Sequence, residues 1–413
     1  MSPAAGARPR KVLHLLNGAA GGAALSTIEL IAALRREGVE ACAACDLGGT
    51  GDEIARLRDA VGGELLMTPL YWWNRKIRAA RWKRPLLELR QSLLTGRGRA
   101  SADRVARFAA AQGVDLIHTN TILTPKGGIA ARRLGLAHVW HLRELVGPGM
   151  PFRLVQEGPR LSRYLAVHCS RLVANSEASA RGVRSWLLSP ELLEVVPNAV
   201  DLTRFSPRDG DRSGASNTPV RVAMVGNLTS RMKKHDLFVE AAARVDRELP
   251  VEFRIYGYDL FDGGRRPGDL YCDRLHRRIA ELGLGDRFRF PGFVPDPPRL
   301  MAAIDLLVHP AEGESFGRVA IEAMAAGLPV VGVAGGGIAE VVVDGETGLL
   351  GPPDDPGALA AGIERLVRDP DLRRRFGRAG RERVAARYSL PALTAGILGA
   401  YGRALGRPLG AAR

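Results

Sequence analysis

Short apolar runs of strand length alternate with amphipathic stretches, break off once in a polar segment, and then start again. In the first half the runs fall at residues 12–16, 41–47, 115–120, 138–142, 171–175 and 193–197, with helical periodicity at 25–37 and 104–112. In the second half they fall at 221–225, 252–256, 288–290, 306–309 and 329–333. Such alternation builds parallel sheets, because a parallel pair needs a long crossover and a helix supplies it. The interruption, from Ser206 to Pro219, is dense in Ser, Gly, Asp and Pro and poor in apolar side chains. The expectation is therefore α/β: two Rossmann-like doubly wound domains, residues 1–200 and 220–387, joined by a linker at 201–219. A last helical stretch at 392–405 lies in a tail, 388–413, expected to pack back on the first domain.

A chain of 413 residues suits two such domains, and its 46% hydrophobic and 25% charged content is that of an ordinary globular protein. No stretch approaches the ~18 unbroken apolar residues of a membrane span. Residues 1–11 lead into a strand-like run without the apolar core of a signal peptide, so a cytoplasmic protein is expected. Cys42 and Cys45 have a redox spacing, but in a strand residues three apart point to opposite faces, so they read as small core residues. No other Cys or His cluster has zinc-ligand spacing. Asp209–Asp211 and Asp369–Asp371 form acidic triplets in the linker and between two helices, where neither ends a buried strand, and a metal role is set aside.

Between the runs at 306–309 and 329–333 lies His309-Pro-Ala-Glu-Gly-Glu-Ser-Phe-Gly-Arg-Val-Ala-Ile-Glu322, which sets Glu314 and Glu322 eight residues apart. The local reading is strand, loop, helix, strand. The helix covers 317–326, with Ser315 as its N-cap and Gly327 ending it before Pro329. Eight residues at a helical rise span roughly 12 Å, about the reach from ribose to sugar in a nucleotide-diphosphate sugar. Two plainer readings stand beside this one. A carboxylate at a helix mouth satisfies free N–H groups, and Glu322, among Val319, Ala320, Ile321 and Ala323, sits on a buried helix where it needs a partner.

Two loops have the makings of a phosphate cradle. Asn17-Gly-Ala-Ala-Gly-Gly22 joins the first strand to the first helix, where glycines let backbone N–H groups approach an anion. Its spacing is not a regular dinucleotide fingerprint, and a plain strand–helix turn fits as well. The second loop, Met224-Val-Gly-Asn-Leu-Thr-Ser-Arg-Met-Lys-Lys-His-Asp236, puts Arg231, Lys233 and Lys234 at the carboxyl edge of a sheet, where α/β folds bind ligands. An anion would relieve the crowding of three cations there; a solvated basic turn is the alternative.

Taken together, these pieces resemble the family 4 glycosyltransferases of GT-B fold. The motifs are Glu314-x7-Glu322, Val196-Pro-Asn-Ala-Val-Asp-Leu-Thr-Arg-Phe-Ser-Pro207, Phe290-Pro-Gly-Phe-Val294 and Val139-Trp-His-Leu-Arg-Glu144, in family order over nearly the whole chain. The resemblance implies two Rossmann-like domains facing across a cleft and a retaining, metal-independent sugar transfer from a nucleotide-diphosphate sugar, with no other cofactor. It implies that Glu322 takes the donor ribose and Glu314 the sugar hydroxyls, beside the Phe316–Gly317 amides. Arg231 and Lys233 would bind the diphosphate, Gly21 and Gly22 would complete its cradle, and the Gly292–Phe293 backbone would lie near the base. His141 would sit beside the transferred sugar, although a satisfied core histidine is an equal reading; His118 reads as structural. The chain departs from the pattern at Asn227, where an arginine is usual, and at Lys234 and Ala199, where glycines are usual. Ala199 points to an ordinary negative φ. An epimerase of the same fold and an inactive nucleotide-sugar binding subunit are the competing functions.

The net charge of +15 is uneven. Residues 1–200 hold 28 Lys and Arg against 16 Asp and Glu, and residues 201–413 hold 31 against 28. The excess concentrates near Trp72, Trp73, Arg75, Lys76 and Arg78, in the domain expected to bind the acceptor. Cations interleaved with aromatics suit an anionic membrane surface or the phosphate of a lipid-linked glycan acceptor. A solvated basic helix or another anion are the alternatives. No nucleic-acid-binding motif accompanies the segment, and the expected location extends to the inner face of the membrane.

Overall fold

A computed structural model of the chain describes residues 8–19, 21–70, 74–75, 99–147, 153–154, 157–206, 218–228, 231–257 and 271–409. It divides into two units, Met1–Asn198 with Leu390–Arg413, and Ala199–Ser389. In the first, β1 (Lys11–Leu16), α1 (Gly21–Arg36), β2 (Glu40–Cys45), α2 (Gly51–Ala60) and β3 (Leu65–Met67) come in succession. After β4 (Asn74–Arg75) and α3 (residues 99–111) come β5 (Leu116–Thr119), α4 (Lys126–Leu134), β6 (Ala137–Leu142) and β7 (Arg153–Leu154). The last are α5 (Pro159–His168), β8 (Arg171–Ala174), α6 (Glu177–Arg184) and β9 (Leu193–Val195).

The second unit starts with β10 (Val220–Val225), α7 (His235–Ala242), β11 (Val251–Tyr256), α8 (Tyr271–Glu281) and β12 (Phe288–Gly292). It continues through α9 (Pro297–Ala302), β13 (Leu306–His309), α10 (Arg318–Ala325), β14 (Val330–Val333), α11 (Ile338–Val341) and β15 (Gly348–Gly351). Helices α12 (Pro356–Arg368) and α13 (Pro370–Arg387) complete it, and α14 (Leu390–Leu405) belongs again to the first unit.

Each unit is built on one parallel, Rossmann-like sheet. The first has seven strands in the order β3-β2-β1-β5-β6-β8-β9, the second six in the order β12-β11-β10-β13-β14-β15. A short antiparallel pair, β4 with β7, stands apart. Strand order reverses between β1 and β5 in one sheet and between β10 and β13 in the other, and ligands of such sheets bind at the carboxyl ends beside that switch. Both faces are covered, as parallel sheets require. Along β13, Leu306 and Val308 join one apolar cluster and Leu307 the opposite one. Cys42 and Cys45 likewise belong to clusters on different sides of β2, where burial pushes both thiols up to about 12.

Several local expectations need correction. Helix α1 starts at Gly21 rather than at residue 25, so Gly21 and Gly22 form its first turn and do not precede it. Helix α10 starts at Arg318 with Gly317 as N-cap, in place of Ser315. Strands β3 and β15 were not expected: one has three residues, and the other carries two leucines between glycines, too short for a period to register. The acidic triplet at 369–371 has a helix-end role. The Asp369 carboxylate accepts from the Leu372 N–H at 2.8 Å and caps α13, with Pro370 in the first helical position. Ala199 has no positive φ, since Lys234 and Asp354 are the only non-glycine residues that do among those described. Asp209 and Asp211 lie outside the described residues.

Candidate functional site

In the second unit the two switch-point loops meet. The chain leaves β10 through Gly226 and returns in a 3-10 turn, Arg231–Lys233, before α7. The chain leaving β13 passes through Pro310 and Glu314 to α10. Lys233 Nζ donates to Glu314 Oε2 at 2.5 Å, and His309 Nε2 lies 3.9 Å from the same oxygen. Burial raises the Glu314 pKa, but the Lys233 charge and His309 outweigh it, so the carboxyl is held below its usual value. Burial lowers the His309 pKa, and the nearby Glu314 opposes that only in part.

The local backbone explains this geometry. Gly317 has φ +91°, a left-handed turn that ends the site loop and starts α10. A third loop, Gly335–Gly337 after β14, presses on the same segment: the Gly337 N–H donates to the Glu314 carbonyl at 2.8 Å, and a Cβ on Gly337 would fall 2.4 Å from Phe316 Cα. These glycines were not singled out in the sequence, where they form only a run after a strand. Lys234 holds the left-handed conformation (φ 57°) that accounts for a glycine being usual there, and its Nζ donates to Asp354 Oδ1 at 2.6 Å.

Glu322 is buried on α10, where Arg318, one turn earlier, donates from Nε to its Oε1 at 2.7 Å. The partner required by burial is thus on the same helix, and Arg318 was not singled out before. The Phe316 ring is core, edge-on to Tyr388 with centroids 5.6 Å apart. Phe293 is 41% exposed and follows Gly292, whose φ is +79°. The Arg231 backbone lies in the 3-10 turn, and its side chain is outside the description.

In the first unit the switch point holds a buried polar network. Gly21, with φ +84°, opens α1 just beyond β1. Asn17 Nδ2 donates to Thr121 Oγ1 at 2.8 Å, and Thr121 in turn donates to Glu144 Oε1 at 2.5 Å. The other Glu144 oxygen accepts from the Ile122 and Arg143 N–H groups at 3.1 and 3.2 Å. Burial nonetheless raises the Glu144 pKa. Arg143 reaches Asn198 Oδ1 at 2.8 Å and Asn120 Oδ1 at 3.1 Å. His141 is fully buried between these groups and pairs with His118. Burial, then the Arg143 charge, lowers its pKa well below the imidazole value, so the ring is neutral. Arg143 and Glu144 were visible in the motif that carries His141, yet nothing in their spacing announced that they are buried partners. Trp72, Trp73, Lys76 and Arg78 lie outside the described residues; Arg75 is described only as backbone of β4.

Among the described residues no group of three or more His, Cys, Asp or Glu is placed to hold a metal ion, and no helix is long and apolar enough to cross a membrane.

Comparison with known proteins agrees with the fold. The model of Glycosyltransferase Family 4 matches residues 20–204, and that of Glycosyl transferases group 1 matches residues 207–383. A D-inositol 3-phosphate glycosyltransferase of Salinispora arenicola is 33% identical over 332 residues, covering 74% of this chain and 71% of its own. The crystal structure of Anabaena Alr3699/HepE in complex with UDP superposes with a TM-score of 0.73 at 26% identity, covering 94% of this chain and 98% of that one. Its complex with UDP-glucose gives 0.71 at the same identity and coverage. The chain belongs to glycosyltransferase family 4, the glycosyl transferases group 1, and is a GT-B-fold glycosyltransferase that uses a nucleotide-sugar donor.

Proposed function

We propose that this enzyme takes its sugar from a UDP-sugar, transfers it with retention and without a metal ion, and delivers it to a lipid-linked or cell-envelope glycan acceptor. The observation that carries the reading is the Lys233–Glu314 pair at the switch point of the second sheet. Without donor, each charge neutralises the other. A diphosphate oxygen gives Lys233 a stronger anionic partner, and Glu314 is released toward the sugar hydroxyls. As the bond between anomeric carbon and phosphate oxygen breaks, negative charge grows on the diphosphate, where the fixed cation stabilises it. Glu314 offsets the positive charge of the oxocarbenium-like sugar. The acceptor oxygen bonds the anomeric carbon on the same face, and its proton passes to the departing phosphate oxygen. With Lys233 and Arg231 neutralising the diphosphate, this step needs no metal, and with phosphate as the base it needs no further carboxylate. Glu322, held by Arg318, serves the ribose, and His141 serves the transferred sugar.

UDP is supported by the Anabaena complexes at 26% identity. The basic aromatic segment supports a lipid-linked acceptor, and the 33%-identical inositol-phosphate enzyme supports a second reading, a small phosphorylated polyol. Both acceptors carry phosphate, and a transfer assay with each kind separates them. The donor site is tested by UDP-sugar hydrolysis without acceptor. Lys233→Ala and Glu314→Ala are each expected to lower kcat by about 100-fold or more, the usual loss of a transition-state electrostatic partner. Unchanged turnover in both variants would refute the assignment.

A further inference from the structure

Three imidazoles lie side by side on the middle strands of the first sheet: His14 on β1, His118 on β5 and His141 on β6. All are fully buried. The His118 and His141 rings stack at 8° with centroids 5.4 Å apart. Tyr401, from α14, places its hydroxyl 2.8 Å from His118 Nδ1, and His118 Nε2 lies 3.3 Å from His141 Nδ1. His141 Nε2 is buried with no hydrogen-bond partner.

Counting protons gives this chain a direction. Burial and the surrounding charges keep His118 and His141 neutral, so each ring carries one N–H. Suppose Tyr401 accepts from His118. Then His118 Nε2 accepts from His141 Nδ1–H, and two buried groups are left unmet: the phenol hydrogen and the His141 Nε2 lone pair. Suppose instead that Tyr401 donates to His118 Nδ1. His118 Nε2–H then donates to His141 Nδ1, and the His141 Nε2–H and the phenol oxygen's lone pairs are left over. Both arrangements make two hydrogen bonds, and the second prevails because it directs the phenol O–H, a stronger donor than an imidazole N–H, at an imidazole nitrogen, a stronger acceptor than a phenol oxygen.

The same accounting applies to His14. The Arg143 guanidinium must face the Asn120 carbonyl oxygen, so the Asn120 amide N–H donates to His14 Nδ1 at 3.4 Å, and His14 too carries its proton on Nε2. Its Nε2 also has no partner. Arg143 thus fixes one imidazole through an amide, and Tyr401 fixes another through an imidazole.

We propose that Tyr401, acting through His118, is a positioning residue that locks His141 as the Nε2–H tautomer, so that this ring offers a hydrogen-bond donor to a hydroxyl oxygen of the transferred sugar. The proposal deepens the reading of His141 as the residue serving that sugar, and it rests on it. It assigns α14 a role in the chemistry: the helix carries the group that, through a ring 283 residues away in sequence, sets the proton of His141.

Two measurements test it. Long-range nitrogen–proton NMR on the full chain labelled in its eight histidines reports each tautomer, with the His141 signal identified by its loss in His141→Gln. His141 is expected as Nε2–H in the wild type and as a mixture, or as Nδ1–H, in Tyr401→Phe. A wild-type Nδ1–H form, or a tautomer unmoved in the variant, overturns the proposal; the wild-type spectrum decides even where the variant folds poorly. In UDP-sugar turnover, Tyr401→Phe should lower kcat about tenfold, the scale of one hydrogen bond, and leave the donor KM within about twofold. In a His141→Gln background the amide N–H replaces the Nε2–H, so adding Tyr401→Phe should cost less than about twofold. A full additive loss there sinks the proposal. If His141→Ala and His141→Gln transfer at the wild-type rate while the NMR behaves as expected, the tautomer lock stands and the assignment of His141 to the sugar falls.

Discussion

His14, His118, His138 and His141 are fully buried, and each is held neutral chiefly by burial. His138 has both nitrogens engaged, at 2.6 Å to the His168 carbonyl and 2.8 Å to the Thr119 hydroxyl, so it is a core histidine. The pKa values of His14 and His138 fall from 6.5 to about 3, so the unfolded chain binds protons that the folded chain refuses. Stability is then full above the unfolded value and falls as pH drops below 6.5, down to about 3 for these two residues. The slope is about 1.4 kcal/mol per pH unit for each such histidine. Urea unfolding between about pH 7 and pH 5 should show this decline, and proton uptake on unfolding near pH 5 should drop by about one in His138→Gln. At this scale the sequence offered candidates but no partners. Glu314 and Lys233 are 81 residues apart, and no local spacing states that they touch. His141 was open to two readings because burial is a tertiary quantity.

Among the elements, the strands were the most legible, because a parallel strand buried on both faces is a continuous apolar run between turn formers. The runs at 12–16, 221–225 and 306–309 fall on β1, β10 and β13 nearly residue for residue. Helix starts were less legible. A Ser three residues before an apolar periodicity looks like a cap, but at Ser315 the loop is still being shaped by Gly337, and only the left-handed Gly317 turns the chain into α10. Where no second loop intrudes, the local rule holds. Asp369 caps α13 with Pro370 behind it, and Asp369→Ala should lower stability by about 1 kcal/mol in thermal unfolding without changing turnover. A loss below about 0.3 kcal/mol would mean that the cap is not used in solution.

For the whole molecule, α14 makes the chain discontinuous: the first unit is finished only after the second has been laid down. Leu393, Ile397, Tyr401 and Ala404 are buried, and the helix packs on β6, β8 and α1. A chain ended at Ser389 should expose that apolar surface and bind a hydrophobic dye or aggregate, whereas residues 199–389 expressed alone should remain a soluble, cooperatively unfolding domain. A monomeric, dye-silent truncation would show that α14 is dispensable. The alternation of apolar runs and the turn residues determined by themselves the class of sheet and the segments that carry charge, and four motifs in order carried the resemblance to the family. Periodicity and turn chemistry are local properties, written within a few residues of one another. What only the tertiary structure decided is which charges meet and which rings share a proton, because Lys233 with Glu314 and Tyr401 with His118 become neighbours only when strands distant in sequence lie side by side and burial removes water as a partner.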